Sequence, residues 1–559
     1  MRRVAGLAAK WTGAATVASL AGTAAYCKYD EGAGRSATAI LGFAGVGLRY
    51  AKHAYVTGAS DEQLYASERS ELHKREAVVA RDILLRLRGY YIKLGQSLCA
   101  TGILPSEYDE VFALFLDAVP PRDWLSEVKP VLLAELGIAS IDEVFSSFET
   151  NPIGSASIGQ AHCATLKDGT KVVVKIQYPD VERYFRLDFA TLTFICKYSG
   201  VDYGDAIDDV MNGLAETFVD EFDYCAEARN LSECAANTLP LFGASIFIPA
   251  PIDATHRAAR SLGRANGLCT RKVLTMELVP NATPIKSKIE RLVEHEAKKE
   301  GLTAKEYKAK FTKMLEDPSQ MREAMGGGLK STLAFEVVIT AMRVAGTLRN
   351  WFAALFNAVV ASWVPGLQRI PRLELEIPLN GPRIARLLFA VHGHQIFGHA
   401  GFFNSDPHAG NVLAMVDGRL ALIDYGACCR LSRPEQRAFA RLIVAIADGD
   451  DDGTVAAFVA LGAKTKNMDA HFLLGNAVLC FHRGAHPDDL KRLGIPENIL
   501  LFDAHMAEYD SWERLPKPML MLQRCGQVLQ GITMMTGAGT VSCAEMWRDE
   551  AEMCLLRED

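Results

Sequence analysis

Three polar side chains in the C-terminal half of the chain have the types and spacing needed to hold a magnesium ion on phosphate groups. Asp406 is followed five residues later by Asn411, and Asp424 comes after a short predicted hairpin, in the sequence Asp-Tyr-Gly. Asp406 could orient an acceptor hydroxyl or a water molecule, while Asn411 and Asp424 offer the hard oxygen ligands that Mg²⁺ prefers. A single Asp-x-Gly sequence is more often a surface turn, so this interpretation needs support from other parts of the chain.

A lysine on an apolar segment is the second feature suited to phosphate binding. Lys175 ends an apolar run in the predicted strand 171–177, which an Asp-Gly turn joins to the predicted strand 161–166. A small-residue segment, 151–160, precedes this hairpin, and a lysine just after such a loop suits the α- and β-phosphates of a nucleotide. The alternative is a lysine on an edge strand, where charges are common. The loop residues expected to contact a nucleotide are Ser155, Ala156 and Ser157.

An acidic segment follows the strand lysine. The predicted helix 186–237 contains Glu221, Asp223 and Glu227. We expect one of these carboxylates to pair with Lys175, although each could equally belong to a solvated acidic face. On a helix Glu221 and Glu227 would lie about 600° apart and hence on different faces, so the choice of partner stays open between them.

The next element is an apolar strand predicted at 271–279, which resembles a hinge and supplies Glu277 and Leu278 as expected nucleotide contacts. The parts therefore follow one another as small-residue loop, hairpin, strand lysine, acidic helix, hinge-like strand, catalytic-type loop and Asp-x-Gly. Such an order is improbable by chance. It favours a nucleotide site over the separate structural explanation of each part.

Composition limits the class of protein. The 559 residues are 49% hydrophobic and 23% charged, so the chain can bury a large core and global disorder is excluded. The net charge of -7 and the lack of a basic stripe argue against nucleic-acid binding. The 13 cysteines contain no closely spaced CxxC pair, so neither a disulfide framework nor a zinc site is expected.

The first residues differ from the rest of the chain. Basic residues precede the first acidic residue, Asp30, and flank the apolar, small-residue run 11–27. Such basic, acid-poor N-termini are typical of mitochondrial transit segments. A secretory signal or a buried helix is the alternative, and whether the run spans a membrane stays open.

The complete motifs resemble those of the UbiB/aarF-domain family of atypical kinases, from about residue 50 to about residue 462. The motifs that carry the resemblance are Lys93-Leu-Gly95-Gln96, Ile153-Gly-Ser-Ala-Ser-Ile-Gly-Gln160, the strand ending at Lys175, Glu221-Phe-Asp223-Tyr with Glu227-Ala, Asp406-Pro-His-Ala-Gly-Asn411 and Asp424-Tyr-Gly426. The resemblance implies an α+β, bilobal protein-kinase-like fold. It also implies a helical N-terminal extension of the Lys-x-Gly-Gln type and an insertion before the catalytic loop.

The implied cofactors are ATP and Mg²⁺. In this interpretation Lys175 and Asp406 are catalytic, and Asn411 and Asp424 bind the metal. The helix that carries Lys93, Gly95 and Gln96 would fold across the active site, exclude protein substrates and contact the acidic motif. The regulatory residues implied in this way are Lys93, Gly95, Gln96, Glu221, Asp223 and Glu227.

The resemblance places these functions in four segments. They are a targeting or membrane-proximal segment at 1–50, the helical extension at 51–130, a kinase-like N-lobe at 131–280 and a C-lobe at 281–559 with an insertion around 326–382. The implied partners are ATP, a lipid or membrane surface and a quinone-like or lipid ligand. The implied location is the mitochondrion, at the inner membrane, in lipid or ubiquinone-related homeostasis.

Two other functions stay open. A catalytically silent, nucleotide-gated lipid-binding scaffold would keep the same motifs. A small-molecule kinase of the choline or aminoglycoside type shares the Asp-to-Asn spacing but has no place for the Lys-Leu-Gly-Gln helix.

The insertion has an apolar stripe at helical spacing in two predicted helices, 333–347 and 351–364. The residues of the stripe are Phe352, Leu355, Phe356, Val359 and Trp363. Such stripes usually pack into a core, so we expect packing here rather than a membrane surface.

Overall fold

The computed structural model describes most of the chain. The described residues are 30–57, 62–101, 105, 107–108, 111–112, 119–198, 221–304, 306–307, 310, 328–361, 363, 367–373, 379–484, 486–495 and 502–557. The predicted targeting run 11–27 and the side chain of Gln96 lie outside this set.

The chain forms two compact units. The first unit takes residues 1–223 and 268–275, and the second takes residues 224–267 and 276–559. The acidic segment is therefore divided, with Glu221 and Asp223 in the first unit and Glu227 in the second. The domain boundaries drawn from the sequence stay a prediction.

The first unit begins with three helices, α1 (Glu31–Thr57), α2 (Glu62–Leu87) and α3 (Tyr90–Thr101). The chain breaks between α2 and α3 because Arg88 and Gly89 have left-handed φ angles of 59° and 52°. Helix α1 packs against α2 and against the later helix α5 (Val181–Tyr198). These contacts form the base on which the Lys-Leu-Gly-Gln helix α3 is held.

A five-stranded sheet forms much of the rest of the first unit. The short helix α4 (Lys129–Leu136) leads into its strands. The strands are β1 (Phe145–Phe148), β2 (Gly154–Ser155), β3 (Gly159–Leu166), β4 (Lys171–Gln177) and β6 (Val273–Glu277). They lie in the order β1-β3-β4-β6, with β2 paired to β3. The hairpin predicted between 161–166 and 171–177 is confirmed, and its turn has Gly169 at a φ of 87°.

The second unit is mainly helical. Its helices are α6 (Tyr224–Phe242), α7 (Arg257–Ser261), α8 (Ile285–Lys299), α9 (Gly328–Phe356), α10 (Gly381–Phe397), α11 (Arg433–Asp448), α12 (Asp451–Ala460), α13 (Ala470–Phe481), α14 (Pro487–Arg492), α15 (Phe502–Ala507), α16 (Lys517–Met535) and α17 (Cys543–Leu556). Its strands are β5 (Ile246–Phe247), β7 (Ala282–Pro284), β8 (Phe402–Asn404), β9 (Val412–Met415), β10 (Leu420–Leu422), β11 (Cys428–Arg430), β12 (Lys464–Thr465) and β13 (Trp512–Arg514).

The core of the second unit lies where α10, α11 and α17 pack together. Trp547 is fully buried there, and its indole N–H donates to the carbonyl oxygen of Phe389 at 3.1 Å. His392, on the same helix as Phe389, is also fully buried, and its Nε2 has no hydrogen-bond partner among the described residues. Burial lowers the pKa of His392 to about 4, because charging the ring would place an ion in an apolar interior.

Two small sheets position the candidate catalytic residues. Strands β9 and β10 form the predicted hairpin and lie in the order β5-β10-β9-β7. Strands β8 and β11 pair antiparallel, so that Asn404 lies opposite Cys428. The loop after β8 and the loop before β11 are consequently side by side.

Two predictions about helices were wrong. Glu221 and Asp223 precede helix α6, which begins at Tyr224; Asp at the position before a helix is favoured because its side chain can cap the first N–H groups. The two helices predicted at 333–347 and 351–364 are one helix, α9, which continues into a π-helical turn, Asn357–Ala361.

The apolar stripe of the insertion does not pack into the core of the unit. Phe352, Leu355, Val359 and Trp363 are all exposed, with Trp363 at 83% of its possible area. The expectation of core packing was therefore wrong, because α9 turns a different face toward the protein. None of the described helices is long and apolar enough to cross a membrane.

Candidate active site

The candidate catalytic loop begins where β8 leaves the core. Gly401 precedes β8 with a φ of 56°, and a Cβ there would lie 2.8 Å from the carbonyl oxygen of Leu431. Only glycine fits this approach. The loop that follows carries Asp406 and Asn411 and returns into the β9–β10 hairpin, which leads to Asp424.

Asn404 ties the two loops of the site together. Its Nδ2 donates to the carbonyl oxygen of Asp424 at 2.8 Å, and its Oδ1 accepts from the backbone N–H of Asp406 at 2.9 Å. Asn404 is 4% exposed. One buried amide therefore fixes the backbone on both sides of the site, which is a role that we did not assign from the sequence.

Neighbouring bonds reinforce the same junction. The backbone N–H and the hydroxyl of Ser405 both donate to the carbonyl oxygen of Ala427, at 2.8 and 2.9 Å. From helix α6, Asn230 donates to the carbonyl oxygen of Tyr425 at 2.9 Å. The Asp-Tyr-Gly segment and the residue after it are thus held from two sides, by the end of β8 and by helix α6.

Asn411 is oriented by a histidine of its own loop. Its amide nitrogen lies 2.8 Å from Nε2 of His408, and its backbone N–H donates to the carbonyl oxygen of His408 at 2.9 Å. An amide nitrogen can only donate, so this contact turns the oxygen of Asn411 away from the ring. The oxygen is the atom that a magnesium ion would need.

Carboxylates surround the Asp-Tyr-Gly turn. Asp424 accepts the backbone N–H of Gly426 at 3.0 Å. Glu227, at the first turn of α6, is 3% exposed, and its carboxylate would lie 3.8 Å from a Cβ placed on Gly426. Burial raises the pKa of the Cys428 thiol, and Cys234, Asp424 and Glu227 raise it further. The donor set of this turn, with two carboxylates and the amide oxygen of Asn411, fits a hard divalent cation bound to phosphate.

Asp406 has a partner that the sequence did not indicate. Nη2 of Arg524, on helix α16, donates to its carboxylate at 2.6 Å. The side chain of Arg524 is 34% exposed and that of Asp406 is 22% exposed. The pair joins residues 118 positions apart in the chain, and no local pattern connects them.

In the first unit, Lys175 lies on an inner strand. Strand β4 has β3 on one side and β6 on the other, and Lys175 is opposite Ala161. The alternative of an edge-strand lysine is therefore wrong. Val174 and Ile176, on either side of Lys175, are fully buried, whereas Lys175 is partly exposed.

The small-residue loop forms a tight hairpin between β2 and β3. The backbone N–H of Ala156 donates to the carbonyl oxygen of Gly159 at 2.8 Å, and Ser157 is 5% exposed. The hydroxyl of Ser155 lies 2.8 Å from that of Tyr178. The loop is thus closed by its own bonds, and Ala156 is its exposed member among the three predicted nucleotide contacts.

The Lys-Leu-Gly-Gln helix contacts the acidic motif directly. Nζ of Lys93 lies 2.5 Å from both carboxylate oxygens of Glu221, with the side chains 17% and 12% exposed. The carbonyl oxygen of the next residue, Phe222, accepts from Gln177 on β4 at 3.3 Å. Gly95 is buried. Helix α3 is thereby linked through the acidic motif to the strand that carries Lys175.

Of the predicted hinge contacts, Glu277 is the last residue of β6 and Leu278 is the next residue. The backbone N–H of Glu277 donates to the carbonyl oxygen of Ala250 at 2.9 Å, and its carboxylate lies 3.5 Å from His256. Leu278 is partly exposed. Both the backbone and the carboxylate of Glu277 thus have contacts within the second unit, and its role as a nucleotide contact stays a prediction.

Comparison with protein families gives one match that covers more than half of the chain. It is the ABC1 atypical kinase-like domain, at residues 115–320 and 355–458. The chain belongs to the ABC1 family. The resemblance to UbiB/aarF-domain kinases and the α+β kinase-like fold are therefore confirmed.

The ABC1 match contains Lys175, Asp406, Asn411 and Asp424. It ends before Arg524 and omits residues 321–354, which include most of helix α9. In the second unit, the match therefore leaves out both residues 321–354 and everything after residue 458.

Curated ABC1-type relatives match shorter stretches. AarF domain-containing protein kinase 1 of Xenopus laevis is 36% identical over 165 residues, which cover 29% of this chain and 31% of the relative. Protein ACTIVITY OF BC1 COMPLEX KINASE 7, chloroplastic, of Arabidopsis thaliana is 34% identical over 184 residues, which cover 32% of this chain and 25% of the relative. The chain spans less than two thirds of the length of the curated relatives it matches first.

A solved structure is similar over a larger share of the chain. It is the Mycobacterium tuberculosis protein Rv3197 in complex with erythromycin, with 18% sequence identity and a TM-score of 0.44. The alignment covers 87% of this chain and 97% of that one.

Proposed function

We propose that this ABC1-family protein binds ATP with Mg²⁺ and uses it as an ATPase or phosphotransferase. Asn411 and Asp424 would hold the metal, Lys175 would contact the phosphates, and Asp406 would orient the acceptor hydroxyl or water. Bound Mg²⁺ would neutralise the charge that develops on the transferred phosphoryl group. Membership of a kinase-like family supports the use of ATP.

The observation that carries the proposal is the buried bridge made by Asn404. It fixes the backbone of Asp406 and the backbone of Asp424 with one amide. Catalysis of phosphoryl transfer is mainly positioning and electrostatic stabilisation. A bridge that sets the spacing of an acceptor-orienting carboxylate and a metal-binding carboxylate serves that purpose directly.

We further propose a setting in mitochondria, at the inner membrane, in lipid or ubiquinone-related homeostasis. The basic, acid-poor N-terminus supports import into the organelle. The chloroplast named for the Arabidopsis relative supports an organellar site in general. A lipid or quinone-like ligand and a membrane surface are the proposed partners.

A second function has one observation in its favour. The ion pair between Asp406 and Arg524 engages the carboxylate that catalysis would use. In a catalytically silent, nucleotide-gated scaffold, such a pair would be permanent. In an enzyme it would instead hold the Asp406 carboxylate in one orientation.

The test is ATP hydrolysis by the full chain, with and without Mg²⁺, vesicles containing cardiolipin, and a soluble quinone analogue. The enzyme proposal expects Mg²⁺-dependent turnover that Asp406→Ala and Asp424→Asn each reduce at least 100-fold, in line with the loss of a positioned catalytic group. Nucleotide binding that needs Asp424 without turnover would favour the scaffold. If both variants retained turnover, the enzyme proposal with these residues and the scaffold proposal would both be contradicted.

A further inference from the structure

We propose that a buried hydrogen-bond relay fixes the small-residue loop, so that the loop contacts nucleotide phosphates through its backbone and not through the hydroxyl of Ser155. The relay runs from Ser155 through Tyr178, Gln160 and His162 to the carbonyl oxygen of Glu149. Its members are positioning residues, since they act on the nucleotide through the loop. The inference rests on the proposed function, because that function places a nucleotide at this loop.

One backbone group fixes the direction of the bonds at the loop end of the relay. The N–H of Arg122 lies 3.0 Å from a side-chain atom of Gln160, and because an N–H can only donate, that atom is the amide oxygen. The hydroxyl of Tyr178 lies 3.3 Å from the same oxygen and donates to it. This uses the one proton of the Tyr178 hydroxyl. Ser155, whose hydroxyl lies 2.8 Å from that of Tyr178, is therefore the donor in their contact.

The other end of the relay follows from the same assignment. The amide nitrogen of Gln160 lies 3.1 Å from Nε2 of His162 and donates to it. The proton of the His162 ring is consequently on Nδ1, which donates to the carbonyl oxygen of Glu149 at 2.8 Å. His162 is fully buried, and burial lowers its pKa, so the ring stays in this neutral form.

The relay is shielded from water. Gln160 and Tyr178 are each 2% exposed. The guanidinium of Arg122 lies 4.2 Å from the centre of the Tyr178 ring and covers it. Nη1 of Arg122 also bonds to Asp180 and, at 3.2 Å, to Glu127. Hydrogen bonds in such an interior are strong and rigid, so the relay can hold the loop in one position.

The relay also attaches the loop to the strands that carry the proposed phosphate-binding lysine. Gln160 and His162 both lie on β3, and Ala161 between them is opposite Lys175 on β4. All of these residues belong to the first unit. The pairing of β3 with β4 therefore sets the spacing between the loop and Lys175.

The side chains of the loop leave its backbone as the source of donors. The proton of the Ser155 hydroxyl is used by Tyr178, and a phosphate oxygen, which is an acceptor, could take it only by breaking the relay. Ala156 has no polar side-chain atom, and Ser157 is 5% exposed. Backbone N–H groups are the donors that phosphate-binding loops commonly use. Their position at this loop is what the relay sets.

The test is a double-mutant cycle on Mg²⁺-ATP affinity, measured by calorimetric titration of the full chain. Ser155→Ala and Tyr178→Phe break the same relay, so each should weaken binding about tenfold and raise the KM for ATP by a similar factor, with kcat changed less than about threefold. The double variant should bind within about twofold of either single variant. Ser155→Thr keeps the hydroxyl and should restore most of the affinity. Losses that multiply in the double variant would overturn the proposal, because Ser155 would then act on the nucleotide independently of Tyr178.

Two matched controls separate the relay from a general loss of stability. Tyr91→Phe removes the hydroxyl of a fully buried tyrosine that has no hydrogen-bond partner among the described residues. Ser146→Ala removes a serine hydroxyl from β1 of the same sheet, where it donates to two backbone carbonyl oxygens. Both controls should bind Mg²⁺-ATP within about twofold of the wild type. The melting temperatures of Ser155→Ala and Tyr178→Phe should fall by no more than about 4 °C.

Hydrogen exchange without nucleotide tests the relay apart from the proposed function. The amides of residues 151–160 should exchange at least about threefold faster in Ser155→Ala and Tyr178→Phe than in the wild type, and at the wild-type rate in the two controls. If the wild type bound no Mg²⁺-ATP, the proposed function would fail, and the exchange rates would decide whether the relay holds the loop. Unchanged exchange in both relay variants, or full Mg²⁺-ATP affinity in both, would overturn the inference.

Discussion

Replacing Asn404 by alanine should loosen both loops of the candidate site at once. The substitution removes the donor to the carbonyl oxygen of Asp424 and the acceptor for the backbone N–H of Asp406. Both hydrogen bonds are partly buried, and an alanine side chain can replace neither of them. The affected segments are the ones proposed to carry the acceptor-orienting and metal-binding carboxylates.

The magnitude follows from the two bonds. Leaving a buried polar group without its partner costs about 1–3 kcal/mol, and partial access to water places each loss toward the lower end. Asn404→Ala should therefore destabilise the second unit by about 3 kcal/mol. This corresponds to a melting temperature lower by about 4 °C for a unit of this size.

Ser405→Ala is the matched control. Ser405 is adjacent to Asn404 and fully buried, and its hydroxyl makes one bond, to the carbonyl oxygen of Ala427. That oxygen keeps the backbone N–H of Ser405 as a second donor. The control should consequently cost about 1 kcal/mol or less.

The assay combines thermal unfolding with the Mg²⁺ dependence of ATP turnover. Asn404→Ala should raise the Mg²⁺ concentration for half-maximal turnover about tenfold, because a displacement of about 1 Å at a positioned group is costly. Ser405→Ala should leave this concentration within about twofold. An Asn404→Ala protein that melts like the control and needs no more Mg²⁺ would refute the bridging role.

Three further predictions concern other contacts. Glu221→Gln should cost about 1–3 kcal/mol in thermal unfolding, because the largely buried ammonium of Lys93 would face a neutral amide. Arg524→Gln should lower kcat about tenfold with little change in the KM for ATP, since Asp406 would lose the group that aims it. His392→Leu should flatten the loss of stability in acid, measured as melting temperature against pH. In the native protein His392 stays neutral down to pH about 4, while the unfolded chain binds a proton below about 6.5, so the wild type loses up to about 3 kcal/mol as the pH falls through this window.

Each of these predictions has its own control. Replacing both charges, as Lys93→Met with Glu221→Leu, should recover most of the stability, because no buried charge remains without its counter-charge. Arg548→Gln removes an exposed ion pair with Asp448, and unchanged kcat in both arginine variants would contradict the role of Arg524. Parallel pH curves for the wild type and His392→Leu would show that the buried ring is not responsible.

Local chemistry explains which parts of the fold were predictable. The hairpins at 161–177 and 412–422 were found because an Asp-Gly turn and two short apolar strands are adjacent in sequence. The loop carrying Asp406 and Asn411 was found for the same reason, since its spacing is a local pattern. These signals need no knowledge of distant residues.

The parts that were missed depend on distant residues or on which face is covered. Arg524 lies 118 positions from Asp406, and an arginine on a helix has no local sign of its partner. Periodicity in the insertion located the apolar stripe, but it could not show that α9 is attached through another face, where Nε of Arg343 donates to the carbonyl oxygen of Asp417 at 2.7 Å. Asn404 had a weak signal, because an Asn two residues before an Asp can form an Asx turn with its N–H.

The central claim is that Lys175, Asn411 and Asp424 act on one magnesium–nucleotide. A double-mutant cycle on Mg²⁺-ATP affinity, with Lys175→Met, Asp424→Asn and the double variant, tests it most directly by calorimetric titration. Groups that bind the same phosphates are coupled. We therefore predict that each single variant weakens binding at least tenfold, and that the double variant binds clearly more tightly than the product of the two losses. Losses that multiply without coupling, or a single variant that binds Mg²⁺-ATP as the wild type does, would contradict the account.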